Sequence, residues 1–166
     1  MKKSISLVGM AGAGKSSIGK QLADYLGFGF IDSDLLIETE HQESLQRVLD
    51  RFGKENFLKI EEKALMSIEF NNTVLATGGS AIFSELAMDY LRSRSSIIFI
   101  KVPYNKIVER VSNFSERGFL KTSDQTIQEA FVERQSLYKN FADYEVANDA
   151  SQEKCLKKIL DLIDQK

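Results

Sequence analysis

Apolar positions along this chain recur in two alternating rhythms. Short runs such as Ile5-Ser6-Leu7-Val8, Phe28-Gly29-Phe30-Ile31 and Ile97-Ile98-Phe99-Ile100 suit strands, the last two buried on both faces of a sheet. Between them the spacing turns helical. Ile18, Leu22, Tyr25 and Leu26 fall at i, i+4, i+7 and i+8, and Cys155, Leu156, Ile159, Leu160 and Ile163 form one stripe. The pattern predicts strands near 4–8, 28–32, 73–77, 96–101 and 144–147. Helices are predicted near 15–26, 34–40, 44–51, 54–70, 83–92, 104–112, 124–139 and 151–164. Short strands alternating with longer helices imply an α/β domain with a mainly parallel sheet covered on both faces.

Two segments interrupt the alternation. Residues 34–70 hold helices back to back, which reads as an insertion after the second strand where a small-molecule subdomain forms. Residues 113–124 are polar and aperiodic, and a loop of that length in a compact domain predicts a lid. No repeat or linker divides the chain, so residues 1–166 are expected to form one domain. Pro103 sits between a strand and a helix, an ordinary turn position.

Composition then removes several function classes. Hydrophobic residues are 43% and charged residues 28% of the 166, values typical of a globular domain with a full core. Lys and Arg number 22 against 24 Asp and Glu, and a net charge of −2 predicts no nucleic-acid partner. No apolar run approaches the ~20 residues of a membrane helix. Met1-Lys2-Lys3 leads straight into the first strand, so no cleavable signal is expected. A single cysteine makes no intrachain disulfide, and the expected state is a cytoplasmic monomer. Cys155 belongs to the apolar stripe of the last helix and reads as core. His41 has no partner at metal-ligand spacing and reads as a solvated helix position.

The chemistry concentrates at Gly9-Met10-Ala11-Gly12-Ala13-Gly14-Lys15-Ser16-Ser17, which satisfies G-x-x-x-x-G-K-[ST] between a strand and a helix. Glycines let backbone N–H groups converge on a phosphate chain, and the helix N-terminus adds its positive dipole end. Gly12, Ala13, Gly14, Lys15, Ser16 and Ser17 are therefore expected to cradle the phosphates of a nucleotide, with Lys15 on the β- and γ-phosphates and the Ser16 hydroxyl on Mg²⁺. Asp32-Ser33-Asp34 follows at the carboxyl end of the second strand, where ligands of open α/β sheets bind. One carboxylate there reaches Mg²⁺ through water and the next orients or deprotonates an attacking hydroxyl; the triplet also suits a helix N-cap, and both readings hold together if Asp34 opens the next helix while Asp32 faces the nucleotide.

Further along stand Ala76-Thr77-Gly78-Gly79, Arg110, Arg117-Gly118-Phe119-Leu120 and Glu133-Arg134-Gln135-Ser136-Leu137-Tyr138. In order and spacing these motifs, with the phosphate loop and Phe30-Ile31-Asp32-Ser33-Asp34, resemble the shikimate kinases nearly end to end. The resemblance implies a three-layer phosphate-loop kinase fold of the nucleoside-monophosphate-kinase type, with a central five-stranded parallel sheet and a mobile lid. It implies that Asp32 serves the magnesium shell, that Asp34 grips the acceptor hydroxyls, and that Gly78 and Gly79 approach the acceptor ring. Arg110 then stacks on adenine, Arg117 is the lid arginine, and Arg134 binds the acceptor carboxylate. Asn148-Asp149 falls near the family's adenine loop. Catalysis is accordingly assigned to Lys15, Asp34 and Arg117, as phosphoryl transfer from ATP to shikimate or a similar small molecule.

Three departures from the family pattern matter. Leu58 stands where the motif G-E-x-x-F-R-x-x-E carries an arginine that clamps the substrate carboxylate, although Phe57 and Glu61 keep register. Ser80 replaces the third glycine of the glycine turn, and Gly118 replaces the lid proline. Glu61, one turn beyond Leu58, is expected to lack a partner. The first reading is shikimate phosphorylation. A second is a kinase of the same build acting on another polyol or hydroxy acid, and a third is a nucleotide-binding protein without catalysis.

Overall fold

The computed structural model describes residues 2–111, 114, 119–122 and 124–164. Five strands, β1 (Ser4–Val8), β2 (Gly29–Asp32), β3 (Thr73–Ala76), β4 (Ser95–Lys101) and β5 (Tyr144–Ala147), pair in parallel in the order β2-β3-β1-β4-β5. Among the described residues seven α-helices connect and cover them: α1 (Lys15–Leu26), α2 (Ser33–His41), α3 (Leu45–Met66), α4 (Glu85–Arg94), α5 (Tyr104–Arg110), α6 (Ile127–Phe141) and α7 (Gln152–Asp164).

Alternation along the central strands divides the core in two. Ile98 and Ile100 of β4 join Leu7, Ile18, Leu22, Ile107, Cys155 and Ile159 on the face covered by α1, α5 and α7. Ile97 and Phe99 face the other way, onto Leu65, Met88, Leu91 and Tyr138 of α3, α4 and α6. Cys155 is core, as its stripe predicts. β2 differs from expectation: it is an edge strand and only partly buried, because among the described residues no strand pairs with its outer side. An apolar run does not distinguish an edge from a centre.

The predicted insertion is a two-helix arm with its own small core of Ile37, Leu45, Val48, Phe57 and Ala64, capped by Leu120. The two helices expected over 44–51 and 54–70 are one element interrupted at Gly53, whose φ of 75° and ψ of 166° break the helix without a Cβ penalty. His41 ends α2 with its ring 5.4 Å from that of Phe52, so it rests on the arm while staying partly exposed. Arg117 and Gly118 lie outside the described residues. Phe114, Phe119 and Leu120, in the same loop, pack inward: Phe114 and Leu120 are buried, and the Phe114 and Phe119 rings meet edge to face at 5.1 Å. The N-terminus of α6 is fixed by a capping box between Thr126 and Glu129.

Candidate active site

β1 is the switch point of the sheet, since the chain leaves it for β2 on one side and returns to β4 on the other. Ligands of such sheets bind beyond the carboxyl ends at this point, and there a cleft of about 680 Å³ opens. Gly12, Gly14, Lys15, Ser16 and Ser17 line one end with Arg110 and Gln152; Asp32, Asp34, Gly79, Ser80 and Arg134 line the other. Gly14 takes the left-handed conformation, φ 90°, that starts α1. Lys15 Nζ donates to the carbonyls of Gly9 at 2.7 Å and Met10 at 2.9 Å. Burial pushes this ammonium down to about 8, against the pull of Asp34 and Asp32.

Not every expected nucleotide contact faces the cleft. Ala13 is fully buried beneath it, and its N–H donates to the Met10 carbonyl at 3.0 Å. Asn148, 1% exposed, donates from Nδ2 to the Ala13 carbonyl at 2.9 Å, while Arg110 Nη2 donates to the Asn148 carbonyl at 3.3 Å. Ser17 Oγ donates to Gln152 Oε1 at 2.6 Å. The Arg110 end of the cleft is thus tied to Asn148 after β5, the stretch that the resemblance places near an adenine loop, and to Gln152 at the start of α7, which carries no motif.

At the other end, the cap of Asp32-Ser33-Asp34 falls earlier than expected, on Asp32 and not on Asp34, because it is the Asp32 carboxylate that reaches the free N–H groups of the first turn. Asp32 is the N-cap of α2, its Oδ1 accepting from the N–H of Asp34 at 3.0 Å and of Leu35 at 3.4 Å. Ser33 turns inward and accepts from the Gly78 N–H at 2.9 Å, leaving Asp34 on the cleft. Gly78 itself does not line the cleft. It lies one layer behind, where a Cβ would overlap Glu61 Oε1 and stand 2.6 Å from Asp34 Oδ1. Only glycine lets these two carboxyls close over the turn.

Glu61 corrects one expectation: it has a partner. The Ser80 hydroxyl donates to its Oε2 at 2.6 Å, so one departure from the family pattern answers the gap left by another. Burial, then the nearby Asp34, pushes the Glu61 carboxyl up to about 8; burial pushes Asp34 up to about 6 against the pull of Lys15. Both carboxyls bind a proton more tightly folded than unfolded. Their contribution to stability is complete below the ordinary carboxylate range and is lost as pH rises through about 6 and then about 8. Thermal unfolding is therefore expected to show Tm falling between about pH 5 and pH 8, and falling less in Glu61→Gln.

Leu58 does not face the cleft either. It packs against the arm's core beside Ile37, Leu45 and Phe57, separate from Leu65 and Ile68 in the main core. Arg134 of α6 remains the guanidinium at this end. It is 1% exposed, with Phe119 and Phe83 ring centroids 4.4 and 5.1 Å from its Cζ. It donates to the carbonyls of Gly79 at 3.4 Å and of Leu120, while its buried Nε has no partner among the described residues. Tyr138 donates to the same Gly79 carbonyl at 2.6 Å.

A profile of the family described as "Shikimate kinase" matches residues 11–164. The chain is 37% identical over 162 residues to the shikimate kinase of Francisella tularensis subsp. novicida, covering 95% of this chain and 92% of that one. The chain belongs to the shikimate kinase family. Solved shikimate kinases superpose closely. The Acinetobacter baumannii enzyme in complex with shikimate gives a TM-score of 0.87 at 30% identity, covering 98% of this chain and 93% of that one. The Aquifex aeolicus enzyme gives 0.85 at 30% identity, covering 97% and 96%. As a shikimate kinase family member the chain is an ATP-dependent kinase with the expected phosphate-loop fold, and the non-catalytic reading falls away. Among the described residues no helix is long and apolar enough to cross a membrane, and no three His, Cys, Asp or Glu side chains cluster to hold a metal. A magnesium ion bound mainly through phosphate oxygens and water needs no such cluster.

Proposed function

We propose that this kinase transfers the γ-phosphoryl group of ATP to a hydroxyl of shikimate, giving 3-phosphoshikimate, as a cytoplasmic monomer with no nucleic-acid partner. The observation that carries the reading is one cleft with Lys15 at the phosphate end and both Asp34 and Arg134 at the other. That is the complement of a nucleotide phosphate chain facing a hydroxylated carboxylate.

The phosphate loop, Gly12 to Ser17, receives the triphosphate through backbone N–H groups and the N-terminus of α1. Lys15 leaves the Gly9 and Met10 carbonyls for the β- and γ-phosphates. Arg110 covers adenine. Asp34 accepts the proton of the attacking hydroxyl; its oxygen bonds to the γ-phosphorus as the bond to the β-phosphate bridging oxygen breaks and ADP leaves. Arg134 takes the acceptor carboxylate after giving up the Leu120 carbonyl, and Gly79 borders the ring, backed by Gly78. The oxygen donors Ser16 and Asp32 suit Mg²⁺, which when bound neutralises charge on the β- and γ-phosphates. Residues 113–124 act as the lid, Arg117 within it meeting the transferring phosphoryl, and 34–70 as the substrate arm of a single domain. The packing of Leu120 into the arm's core and of the Phe119 ring on Arg134 supports such a closure.

The test is ADP release with ATP, Mg²⁺ and a panel of hydroxy acids and polyols. Shikimate is expected to be the preferred acceptor, and failure to use it overturns the reading. A diverged acceptor is the second reading, favoured by Leu58 where a cation is expected. Leu58→Arg is expected to lower the KM for shikimate, by at most about tenfold, since one added charge-assisted contact is offset by the leucine's lost packing. If the pocket has diverged, Leu58→Arg leaves shikimate unused and damages activity on the true acceptor.

A further inference from the structure

Burying a carboxyl is unfavourable unless its oxygens are hydrogen-bonded. Glu61 is 2% exposed, and its recorded donor is the Ser80 hydroxyl, itself buried. The other oxygen stands against Gly78, with Asp34 Oδ1 bordering the same point. These groups come from three separate elements. Glu61 is on α3, Asp34 is in the first turn of α2, and Ser80 follows the turn after β3. Lys15 and Arg134 act on Glu61 through their charge, but their donors go to the carbonyls of Gly9, Met10, Gly79 and Leu120. Leu58, three residues earlier on α3, has no donor to offer.

We propose that the Ser80 hydroxyl is a positioning group of the acceptor site. It fixes the Glu61 carboxyl over the Gly78–Gly79 turn and beside Asp34, and so sets how tightly the acceptor binds. Ser80 and Leu58 then form a functional pair. The bond that anchors Glu61 comes from the turn across the cleft floor instead of from a cation on its own helix. Without the hydroxyl, Glu61 turns toward the nearest remaining polar groups, which are Asp34 and the backbone of the glycine turn, and both shift away from the acceptor. The inference rests on the reading of this cleft as the site of shikimate phosphorylation.

Steady-state kinetics on the parent, Ser80→Ala, Leu58→Arg and the double variant test it. Ser80→Ala is expected to raise the KM for shikimate about tenfold and leave the KM for ATP within about twofold, the split expected of a lost contact at one site. Adding Leu58→Arg to Ser80→Ala is expected to lower the shikimate KM at least about threefold more than it does in the parent, as for two donors that share one acceptor. A Ser80→Ala protein with a lowered Tm but the parent's KM for both substrates overturns the proposal, since the hydroxyl then serves only stability. If Ser80→Ala does not fold, Glu61→Gln and Glu61→Leu decide, because glutamine still accepts from Ser80 and leucine does not. The leucine variant is expected to show the higher shikimate KM, and equal values overturn the proposal. A parent that cannot phosphorylate shikimate overturns the underlying reading and this inference with it. An active parent whose two substitutions simply add overturns the inference alone.

Discussion

Lys15→Ala is expected to lower kcat at least ~10²–10³-fold while the protein remains folded, the scale found when one preorganised charge stabiliser is removed from a transition state. The side chain is buried, yet it serves no apolar cluster; its ammonium donates to two of the phosphate loop's own carbonyls. Removing it leaves two carbonyls at the edge of a cleft that water can enter, so the cost to folding is small. The cost to chemistry is large, because charge on the γ-phosphoryl oxygens grows during transfer and no other lysine lines the cleft among the described residues. ADP-release kinetics read the loss, and circular dichroism with thermal unfolding reads the fold. A cleanly folded Lys15→Ala protein with parental turnover would overturn the role given to this residue.

Asp34→Asn is expected to lower kcat by ~10²–10⁴-fold with little change in ATP affinity, the range for loss of a positioned general base. An amide of the same shape still lines the cleft but no longer accepts a proton. The parent also predicts a pH signature. Burial holds this carboxyl near 6, so kcat is expected to fall as pH drops through about 6, where the base becomes protonated. In Asp34→Asn that limb should vanish from the residual activity. Titration of ATP binding completes the test. Collapse of nucleotide affinity with intact turnover would place this carboxylate on the wrong partner.

Much of this architecture is written in local pattern. The phosphate loop needs glycines, a lysine and a hydroxyl at fixed spacing in the chain, so residues 9–17 declare themselves without tertiary information. The helix breaks at Gly53 and the capped start of α6 are local for the same reason. Asp32 and Asp34 were legible as a pair, but which one caps α2 depends on the direction of Ser33, and that is fixed by the Gly78 N–H forty-five residues away.

Contacts between elements distant in sequence carry no such signal. Pairing of β2 with β3 alone makes an apolar run into an edge strand. The burial of Arg134 under Phe119 and Leu120 arises because these two residues pack back onto α6 and the arm, a packing that the polar, aperiodic sequence around them conceals. The anchoring of Glu61 is the plainest case. Along α3 it looks like an acid facing an absent arginine, since helical spacing reports only neighbours three and four residues away. Its partner, Ser80, stands nineteen residues on, after a strand, and only the packing of α3 beside the turn after β3 brings hydroxyl and carboxyl to 2.6 Å. Sequence determined the phosphate-loop motif and the order of elements because those follow from short-range sterics and periodicity. Tertiary structure decided the surroundings of Glu61, because a buried carboxyl takes its partner from whichever element the fold places against it.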